Sequence, residues 1–437
     1  MKISNAEYAR RRRKLMALMA PNSIAIIPAA QEKLRSRDTE YPFRQDSDFY
    51  YLSGFREPEA VLVLIPGREH GEFVMFCRER DPTMELWHGS RAGPDGVCEH
   101  FGADDAFPVS DVDDILPGLI EGRDRVYYSM GRSAEFDRQI MEWVNSIRSK
   151  ESTGASPPGE FTDLDHMLHD MRLIKSAAEQ KLLRRAGEIT ANAHRHIMER
   201  CQPGMYEYEL EGELHHQFVC GGARYPAYLS IVGSGANACT LHYVENSAKM
   251  RAGDLVLIDA GCEFEYYAAD VTRTFPVGGK FSREQRAIYD LVLAAHEATI
   301  AEICAGNHWN QPHDVSVRVI TAGLLELGLL EGELEQLIES KAYQPFYMHR
   351  VGHWLGLDVH DVGDYRVGDE WRLLEPGMVM TVEPGIYVAP GNTDVARKWR
   401  GIGVRIEDDV LVTATGCEVL TAGAPRSADE IEAIMAA

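Results

Sequence analysis

Four acidic residues stand within or beside short apolar segments in the second half of the chain. Asp259, Asp270, Glu383 and Glu407 each belong to a run whose alternation predicts a β-strand. Strands this apolar belong in a protein interior, where a carboxylate is costly unless a cation compensates its charge. Residue types and positions therefore predict that these acids surround bound cations.

Metal ions explain the four acids better than ion pairs do. Arg273 and Arg405 are the nearby basic residues, and they could neutralise two of the acids at most. Buried ion pairs remain the alternative. Carboxylates are hard oxygen ligands, which suit Mn²⁺, Mg²⁺ or Co²⁺ better than a thiolate-based zinc site does.

A glycine-rich stretch, residues 348–361, adds His349, His353 and His360. The spacing of the first two matches the zinc ligands of a helical peptidase motif. However, no glutamate follows His349, and two glycines disfavour a helix. We therefore predict a loop and strand presentation for these histidines. Three histidines beside an acid cluster favour function over a structural role.

An internal similarity relates two segments that contain these acids. Residues 251–261 can be laid over residues 375–385. In both, a glycine precedes an apolar strand that ends in a carboxylate, and another glycine follows two residues later. A second strand with an acidic residue comes after each segment. A duplicated half-domain would place four carboxylates around a pseudo-twofold axis.

The length of 437 residues predicts two domains, which we place at residues 1–172 and 173–437. Strands and helices alternate in the first third, with predicted strands at 23–28, 60–65 and 72–77 and a predicted helix at 134–147. The polar segment 150–159 is typical of a surface loop. Predicted strands of the second domain include 379–388 and 404–413. Capping boxes at Ser176 and Ser282 begin two long helices of the second domain. We expect an α/β (α+β) protein, with helices flanking a mostly antiparallel sheet in the second domain.

Composition excludes several classes of function. With 45 basic against 68 acidic residues, the net charge of −23 disfavours nucleic-acid binding. No apolar run of about 18 residues predicts a membrane span. The eight cysteines show no C-x-x-C pair, so we expect reduced thiols and a cytoplasmic protein.

These motifs together resemble the M24 metallopeptidases of the pita-bread fold, and specifically aminopeptidase P, the Xaa-Pro aminopeptidases. The resemblance covers nearly the whole chain. An N-terminal segment, residues 43–55, is similar to the first domain shared by aminopeptidase P and prolidase. The peptidase motifs are LIDAG at 257–261, ADVTRTF at 269–275, HRVGHWLG at 349–356, TVEPG at 381–385 and GVRIE at 403–407.

The resemblance implies a function and a set of site residues. A hydroxide bridging two divalent metals, most simply Mn²⁺, would cleave the bond between an N-terminal residue and a penultimate proline. The implied substrates are peptides with proline at the second position, and the implied assembly is a homo-oligomer, either a tetramer or a dimer. The implied metal ligands are Asp259, Asp270, His353, Glu383 and Glu407, with Asp270 and Glu407 bridging both ions.

The same resemblance assigns the remaining site residues. Glu383 would accept a proton, and His242 or His360 would stabilise the tetrahedral intermediate. The full catalytic set is His242, His349, His360, Glu383 and Arg405, and the substrate-binding set is Tyr387, Val359, Tyr228 and Trp87. The segment around Trp87 would close the site from a neighbouring subunit, although His88 and Ser90 depart from the family pattern there.

Three other readings stay open. Prolidase applies the same chemistry to dipeptides, but the segment 221–228 leading to His242 is more similar to aminopeptidase P. Creatinase shares the fold without metal and is disfavoured, because all five ligands are present here. Non-enzymatic binding proteins of this fold have typically lost ligands.

Overall fold

The computed structural model describes residues 1–436. The chain divides into an N-terminal unit, Ile3–Arg172, and a C-terminal unit that begins at Leu173. Both units mix helices and strands, which confirms the predicted fold class. Within the described residues, no helix is both long enough and apolar enough to cross a membrane. All eight cysteines are described, and none forms a disulfide.

A six-stranded sheet organises the N-terminal unit. Its strands are β1 (Ser23–Pro28), β4 (Val61–Leu64), β5 (Phe73–Cys77), β6 (Asp105–Pro108), β7 (Arg125–Tyr127) and β8 (Glu160–Thr162), with a separate hairpin of β2 (Leu34–Ser36) and β3 (Thr39–Glu40). The order in the sheet is β6-β5-β4-β1-β7-β8. The runs predicted as strands near residues 23, 60 and 72 form β1, β4 and β5.

Seven helices accompany this sheet in the described N-terminal unit. They are α1 (Asn5–Leu18), α2 (Ser47–Ser53), α3 (Pro82–His88), α4 (Gly93–Phe101), α5 (Val112–Ile120), α6 (Ala134–Arg148) and α7 (Asp165–Leu173). Helix α6 buries Phe136, Ile140 and Trp143 on one face, in a core shared with β1 and β4. Its apolar residues recur at helical spacing, which is why the sequence predicted this helix.

The described part of the C-terminal unit contains six α-helices, and four of them pack together in two pairs. The six helices are α8 (Ala177–Arg200), α9 (Glu207–Gly221), α10 (Arg283–Ala301), α11 (Gln311–Glu326), α12 (Leu334–Glu339) and α13 (Ala428–Met435). The capping boxes predicted at Ser176 and Ser282 are both present and begin α8 and α10. Helix α8 packs on α9, and α10 packs on α11.

Short antiparallel ladders make up the sheet structure of this unit. The strands are β9 (Tyr225–Pro226), β10 (Ile231–Ser234), β11 (Leu255–Asp259), β12 (Cys262–Phe264), β13 (Tyr267–Ala268), β14 (Thr272–Pro276), β15 (Arg366–Val367), β16 (Glu370–Trp371), β17 (Val379–Val382), β18 (Gly385–Tyr387), β19 (Gly403–Arg405), β20 (Asp408–Thr413) and β21 (Gly416–Val419). Two of the sheets have three strands, β10-β11-β14 and β17-β20-β21, and in each the repeated strand, β11 or β17, pairs antiparallel with a later strand, β14 or β20. A glycine with positive φ precedes the repeated strand in each, Gly253 at +90° and Gly377 at +97°.

Two strands that the sequence predicted as continuous, 379–388 and 404–413, are each broken in two. The first breaks at Glu383 and Pro384, because proline has no N–H to donate to a ladder. The second breaks at Glu407, whose N–H donates to the carbonyl of Thr272 at 3.0 Å, in the other three-stranded sheet. Both breaks remove a glutamate from regular strand pairing.

A buried charge cluster in the N-terminal unit provides a contrast to the site described below. Asp48 is almost fully buried and accepts hydrogen bonds from Arg172 at 2.7 Å and Arg132 at 2.8 Å. Asp165 and His169 lie close enough to share an ion with it. Burial alone would raise the pKa of Asp48, but the two arginines hold it well below its usual range. Arginines therefore already supply the cationic charge here.

We expect Asp48→Asn to lower the free energy of unfolding by about 3 kcal/mol at pH 7, because it removes the carboxylate charge that pairs with the buried Arg172. Since the folded-state pKa is depressed, the wild-type advantage exists above about pH 4 and shrinks as pH falls further. Urea unfolding at pH 7 and pH 3 measures both effects. The matched control is Glu160→Gln, an exposed partner of Arg125, which should cost less than about 1 kcal/mol. A pH-independent difference for Asp48→Asn would contradict this account.

Candidate functional site

The structure brings the five predicted metal ligands together, each where regular strand pairing ends. Asp259 is the last residue of β11, and Asp270 lies just before β14. Glu383 and Glu407 occupy the two strand breaks, and His353 lies in the loop that precedes β15. A side chain at a strand end is free to turn away from the sheet face, so several strands can direct carboxylates to one point.

Distances between ligand atoms define the cluster. Possible ligand atoms of Asp270, His353 and Glu407 lie within 4.8 Å of one another. Nε2 of His353 is 3.4 Å from Oδ2 of Asp270 and 3.5 Å from Oε1 of Glu383. The hydroxyl of Tyr228 donates to Oδ1 of Asp259 at 2.6 Å and also contacts Asp270.

Two glycines permit the close backbone approaches behind these ligands. A Cβ on Gly261 would lie 1.7 Å from the carbonyl oxygen of Ala269, one residue before Asp270. A Cβ on Gly352 would lie 2.0 Å from the carbonyl oxygen of Thr381. No larger residue fits at either position, which explains the glycines in the two motifs.

The electrostatics of the cluster show strong mutual repulsion. Burial and the neighbouring acids raise the pKa of Glu407 well above its usual value, and burial also raises the pKa of Asp259. Burial raises the pKa of Glu383 to about 7. Only Asp270 is shifted down, because a hydrogen bond to His353 and the charge of that ring outweigh its burial.

The excess negative charge also shifts the pKa of His353. Burial would lower its pKa, but the hydrogen bond to Asp270 and the charge of Glu383 raise it to about 9. Its Nδ1–H donates to the carbonyl of Trp354 at 3.0 Å, which leaves Nε2 directed at the carboxylates. The backbone N–H of His353 donates to Oγ1 of Thr381 at 3.0 Å and fixes the loop. Nε2 is therefore the ring nitrogen that is available to a metal ion.

The two arginines that the sequence offered as counter-ions behave differently. Arg405 pairs with Asp259 and donates to Oγ1 of Thr272 at 3.1 Å. Arg273 pairs with none of the five ligands. It contacts Asp408 at 2.8 Å and donates to the carbonyl of Glu407 at 2.6 Å. Arg273 therefore holds the backbone of the cluster and leaves its charge uncompensated.

The donor set fits divalent cations. Among the described residues, one arginine and one imidazole oppose four carboxylates, three buried and that of Glu383 partly exposed, so the site carries excess negative charge. Oxygen atoms dominate the possible ligands, with one imidazole nitrogen, which is the composition that hard and borderline divalent ions prefer. This differs from the Asp48 cluster, where arginines supply the compensation.

A chain of hydrogen bonds fixes a second histidine beside the cluster. Nη1 of Arg405 donates to the hydroxyl of Tyr387 at 3.0 Å, and that hydroxyl lies 2.9 Å from Nε2 of His349. Nδ1 of His349 donates to the carbonyl of Arg350 at 2.8 Å, so Nε2 must accept from Tyr387. Burial and the charge of Arg405 lower the pKa of His349 to about 4. The ring is neutral at pH 7.

A cavity of about 810 Å³ opens onto these residues. All five predicted ligands line it, and the other predicted residues that line it are His242, His349, His360, Val359, Tyr228 and Arg405. Tyr387 is buried behind the lining, against Arg405 and His349. The ring of His360 meets that of His353 edge-on, with centroids 4.3 Å apart. Trp87 belongs to the N-terminal unit, where it is 76% exposed at the end of α3.

Sequence reasoning missed one wall of the cavity. Trp309, Tyr365, Trp371 and Arg350 line it, and the first two rings lie 4.6 Å apart. Trp309 and Trp371 stand outside every motif, so no local pattern predicts their position. Of these four residues, only Arg350 lies within the histidine-containing segment 348–361, so the sequence indicated a place near the site for Arg350 alone.

Comparison with known proteins identifies the family. The sequence pattern of metallopeptidase family M24 matches residues 181–414, and that of the aminopeptidase P N-terminal domain matches residues 8–127. The chain is 50% identical over 436 residues to the Xaa-Pro aminopeptidase of Escherichia coli (strain K12), which covers 100% of this chain and 98% of that protein.

Solved structures agree with the sequence comparison. The structure of Pseudomonas aeruginosa aminopeptidase PepP superposes with a TM-score of 0.99 at 64% identity, covering 100% of this chain and 98% of that one. Aminopeptidase P from E. coli with the inhibitor Pro-Leu gives a TM-score of 0.97 at 50% identity, covering 100% and 99%. This chain therefore belongs to metallopeptidase family M24 and, within that family, to the aminopeptidase P enzymes.

Proposed function

We propose that this chain removes the N-terminal residue from peptides whose second residue is proline, in a reaction that requires two divalent cations. The observation that carries the proposal is the cluster of buried, mutually repelling carboxylates at the end of an 810 Å³ cavity. The relative from E. coli is named Xaa-Pro aminopeptidase, and the inhibitor in one similar structure is Pro-Leu, which begins with proline. We assign this reaction to the unit that begins at Leu173.

Five side chains would hold the cations, and they are Asp259, Asp270, His353, Glu383 and Glu407. Bound there, the cations supply Lewis acidity, which polarises the scissile carbonyl and lowers the pKa of a water molecule. We propose Mn²⁺, because four of the five ligands are carboxylates.

Glu383 is the proposed proton carrier. Its side chain lies partly exposed to the cavity, where the water and the substrate would lie. Its carboxylate can accept the proton of the attacking water and deliver it to the prolyl nitrogen as the C–N bond breaks.

His242 and His360 are the proposed hydrogen-bond donors to the substrate. Both rings are exposed to the cavity. Burial and the neighbouring His353 lower the pKa of His360, so its ring is neutral and carries one N–H. An N–H directed at the developing oxyanion stabilises the tetrahedral intermediate.

The Arg405–Tyr387–His349 chain is proposed to shape the proline pocket. Both nitrogens of His349 are engaged, so this ring offers the substrate a fixed surface and no donor. Val359 adds an apolar wall to the same cavity. A tertiary Xaa-Pro amide has no N–H to recognise, so a rigid surface for the ring has to supply the selectivity.

Tyr228 is proposed to position ligands, since its hydroxyl contacts Asp259 and Asp270.

We also propose a homo-oligomer, in which the exposed Trp87 approaches the site of a neighbouring subunit, and a cytoplasmic location. The location rests on the eight thiols, among them the buried Cys77, Cys201 and Cys262.

Metal-stripped protein should not release the first residue of an Ala-Pro-Ala peptide, and added Mn²⁺ should restore release. Glu383→Gln should lower kcat by about 100-fold or more, because the proton carrier is lost. Glu418→Gln, which affects a surface pair with Arg184, is the matched control and should keep full activity. Chromatography of the released alanine provides the measurement.

Three outcomes would contradict this function. One is the absence of activity with any divalent metal, and another is full activity after Glu383→Gln. The third is cleavage of the Ala-Pro dipeptide with little cleavage of the tripeptide, which would favour prolidase.

Tyr387→Phe should lower kcat/KM by about 10- to 100-fold, as loss of a group that orients a site residue typically does. The freed Nε2 of His349 should also bring the pKa of that ring up from about 4, which adds an ionisation to the acidic limb of the pH profile. The control is Tyr347→Phe, a buried tyrosine that also contacts the His349 ring but whose hydroxyl meets Ser316. Equal kinetic effects of the two substitutions would refute the hydrogen-bond chain.

A further inference from the structure

Arg350 occupies a distinctive place at the active-site cavity. It lines the cavity directly after His349 and is exposed. The neighbouring wall of the cavity is aromatic and includes Trp309, Tyr365 and Trp371. A cationic side chain therefore faces the space where a substrate has to lie.

The charge of Arg350 has no carboxylate partner. In the part of the chain that the structure describes, no acidic oxygen lies within ion-pair distance of its guanidinium. The other arginine of the cavity, Arg405, pairs with Asp259. Burial lowers the pKa of Arg350, in the direction expected for a cation without a close counter-ion.

Neutral groups hold the Arg350 side chain in place. Nη2 donates to Oδ1 of Asn310, whose Nδ2 in turn donates to Asp314 at 2.7 Å. The guanidinium lies over the ring of Trp371, 5.2 Å from its centroid. Arg366 lies over the same ring, 4.1 Å from the centroid, and does not line the cavity.

This arrangement leaves most of the donors of Arg350 available. A guanidinium carries five N–H donors in a planar fork, and the contact with Asn310 uses one nitrogen. A planar fork held against an indole is preorganised for bidentate binding of a carboxylate. Among the described residues, no carboxylate of the acid cluster lies within ion-pair distance of this guanidinium, and the cluster forms ion pairs with His353 and Arg405.

We propose that Arg350 is a specificity-determining residue that binds a carboxylate of the peptide substrate. The proposal rests on the proposed Xaa-Pro aminopeptidase function and names the substrates that this site prefers. The carboxylate has three possible sources, which are the C-terminus of a short peptide, an acidic side chain after the proline, and an acidic side chain before it.

Three pairs of peptides distinguish these sources with the Mn²⁺-loaded enzyme. Ala-Pro-Ala is compared with its C-terminal amide, Ala-Pro-Glu-amide with Ala-Pro-Gln-amide, and Glu-Pro-Ala-amide with Gln-Pro-Ala-amide. We expect wild-type enzyme to prefer the acid in at least one pair by about tenfold in kcat/KM, the value of a charge-assisted hydrogen bond. That pair identifies the source.

Variants assign the preference to Arg350. Arg350→Gln should bring the acid-to-amide ratio of that pair close to one, while Arg350→Lys should retain part of it, because lysine keeps the charge and loses the fork. The matched control is Arg366→Gln, which removes a charge from the same indole outside the cavity lining. It should keep both the ratio and the activity on the amide peptides.

Three results would overturn the proposal. They are the absence of an acid preference in every pair, an equal loss of activity on acid and amide peptides in Arg350→Gln, and an equal change of the ratio in Arg366→Gln. Wild-type activity on the amide peptides tests the proposed function separately. If the wild type cleaves none of the six peptides, the proposed function fails as well.

Discussion

Mutual repulsion among buried carboxylates is the constraint on which the catalytic unit depends. Asp259, Asp270, Glu383 and Glu407 converge where water is largely excluded, and burial raises the pKa of three of them. A fold can retain such a group only if cations compensate it or if the surrounding structure holds it in place. The shifted pKa of His353, about 9, is the response of the nearest titratable base to that excess charge.

Two buried basic residues near the cluster form ion pairs with acids outside the predicted ligand set. Arg273 is fully buried and directs its donors to Asp408 and to backbone carbonyls, among them that of Glu407. A second buried pair, Lys175 with Asp361 at 3.0 Å, anchors the loop that carries the active-site histidines. These pairs fix the backbone around the carboxylates without neutralising the carboxylates of the cluster. Different residues therefore fix the backbone and carry the excess negative charge.

The sequence predicted the parts of this site that follow from local pattern. Alternating apolar residues that end in an acid located Asp259, and the repeat of the same pattern located Glu383. The strand breaks at Glu383 and Glu407 were missed. The local signal for the first was Pro384, which has no N–H to donate to a ladder. The second depends on a tertiary hydrogen bond, from the N–H of Glu407 to the carbonyl of Thr272. The partner of Arg273 and the position of Trp371 were unpredictable for a similar reason. Arg273 finds its partner, Asp408, 135 residues further along the chain. Trp371 meets Arg350 only because the intervening loop and β15 fold back on it.

The most direct test of the central constraint is thermal unfolding of wild type and Glu407→Gln, each with and without Mn²⁺. Glutamine keeps the shape of the side chain and its acceptor for Thr272 but removes one of the repelling charges. If repulsion among the carboxylates is the constraint, the change in unfolding temperature caused by Glu407→Gln should have opposite signs without and with Mn²⁺. The substitution should raise the unfolding temperature of the metal-free protein and lower that of the Mn²⁺-loaded protein. A lower unfolding temperature under both conditions would show that protein groups already compensate the charge of Glu407. That result would contradict the claim that the carboxylates repel one another in the metal-free protein.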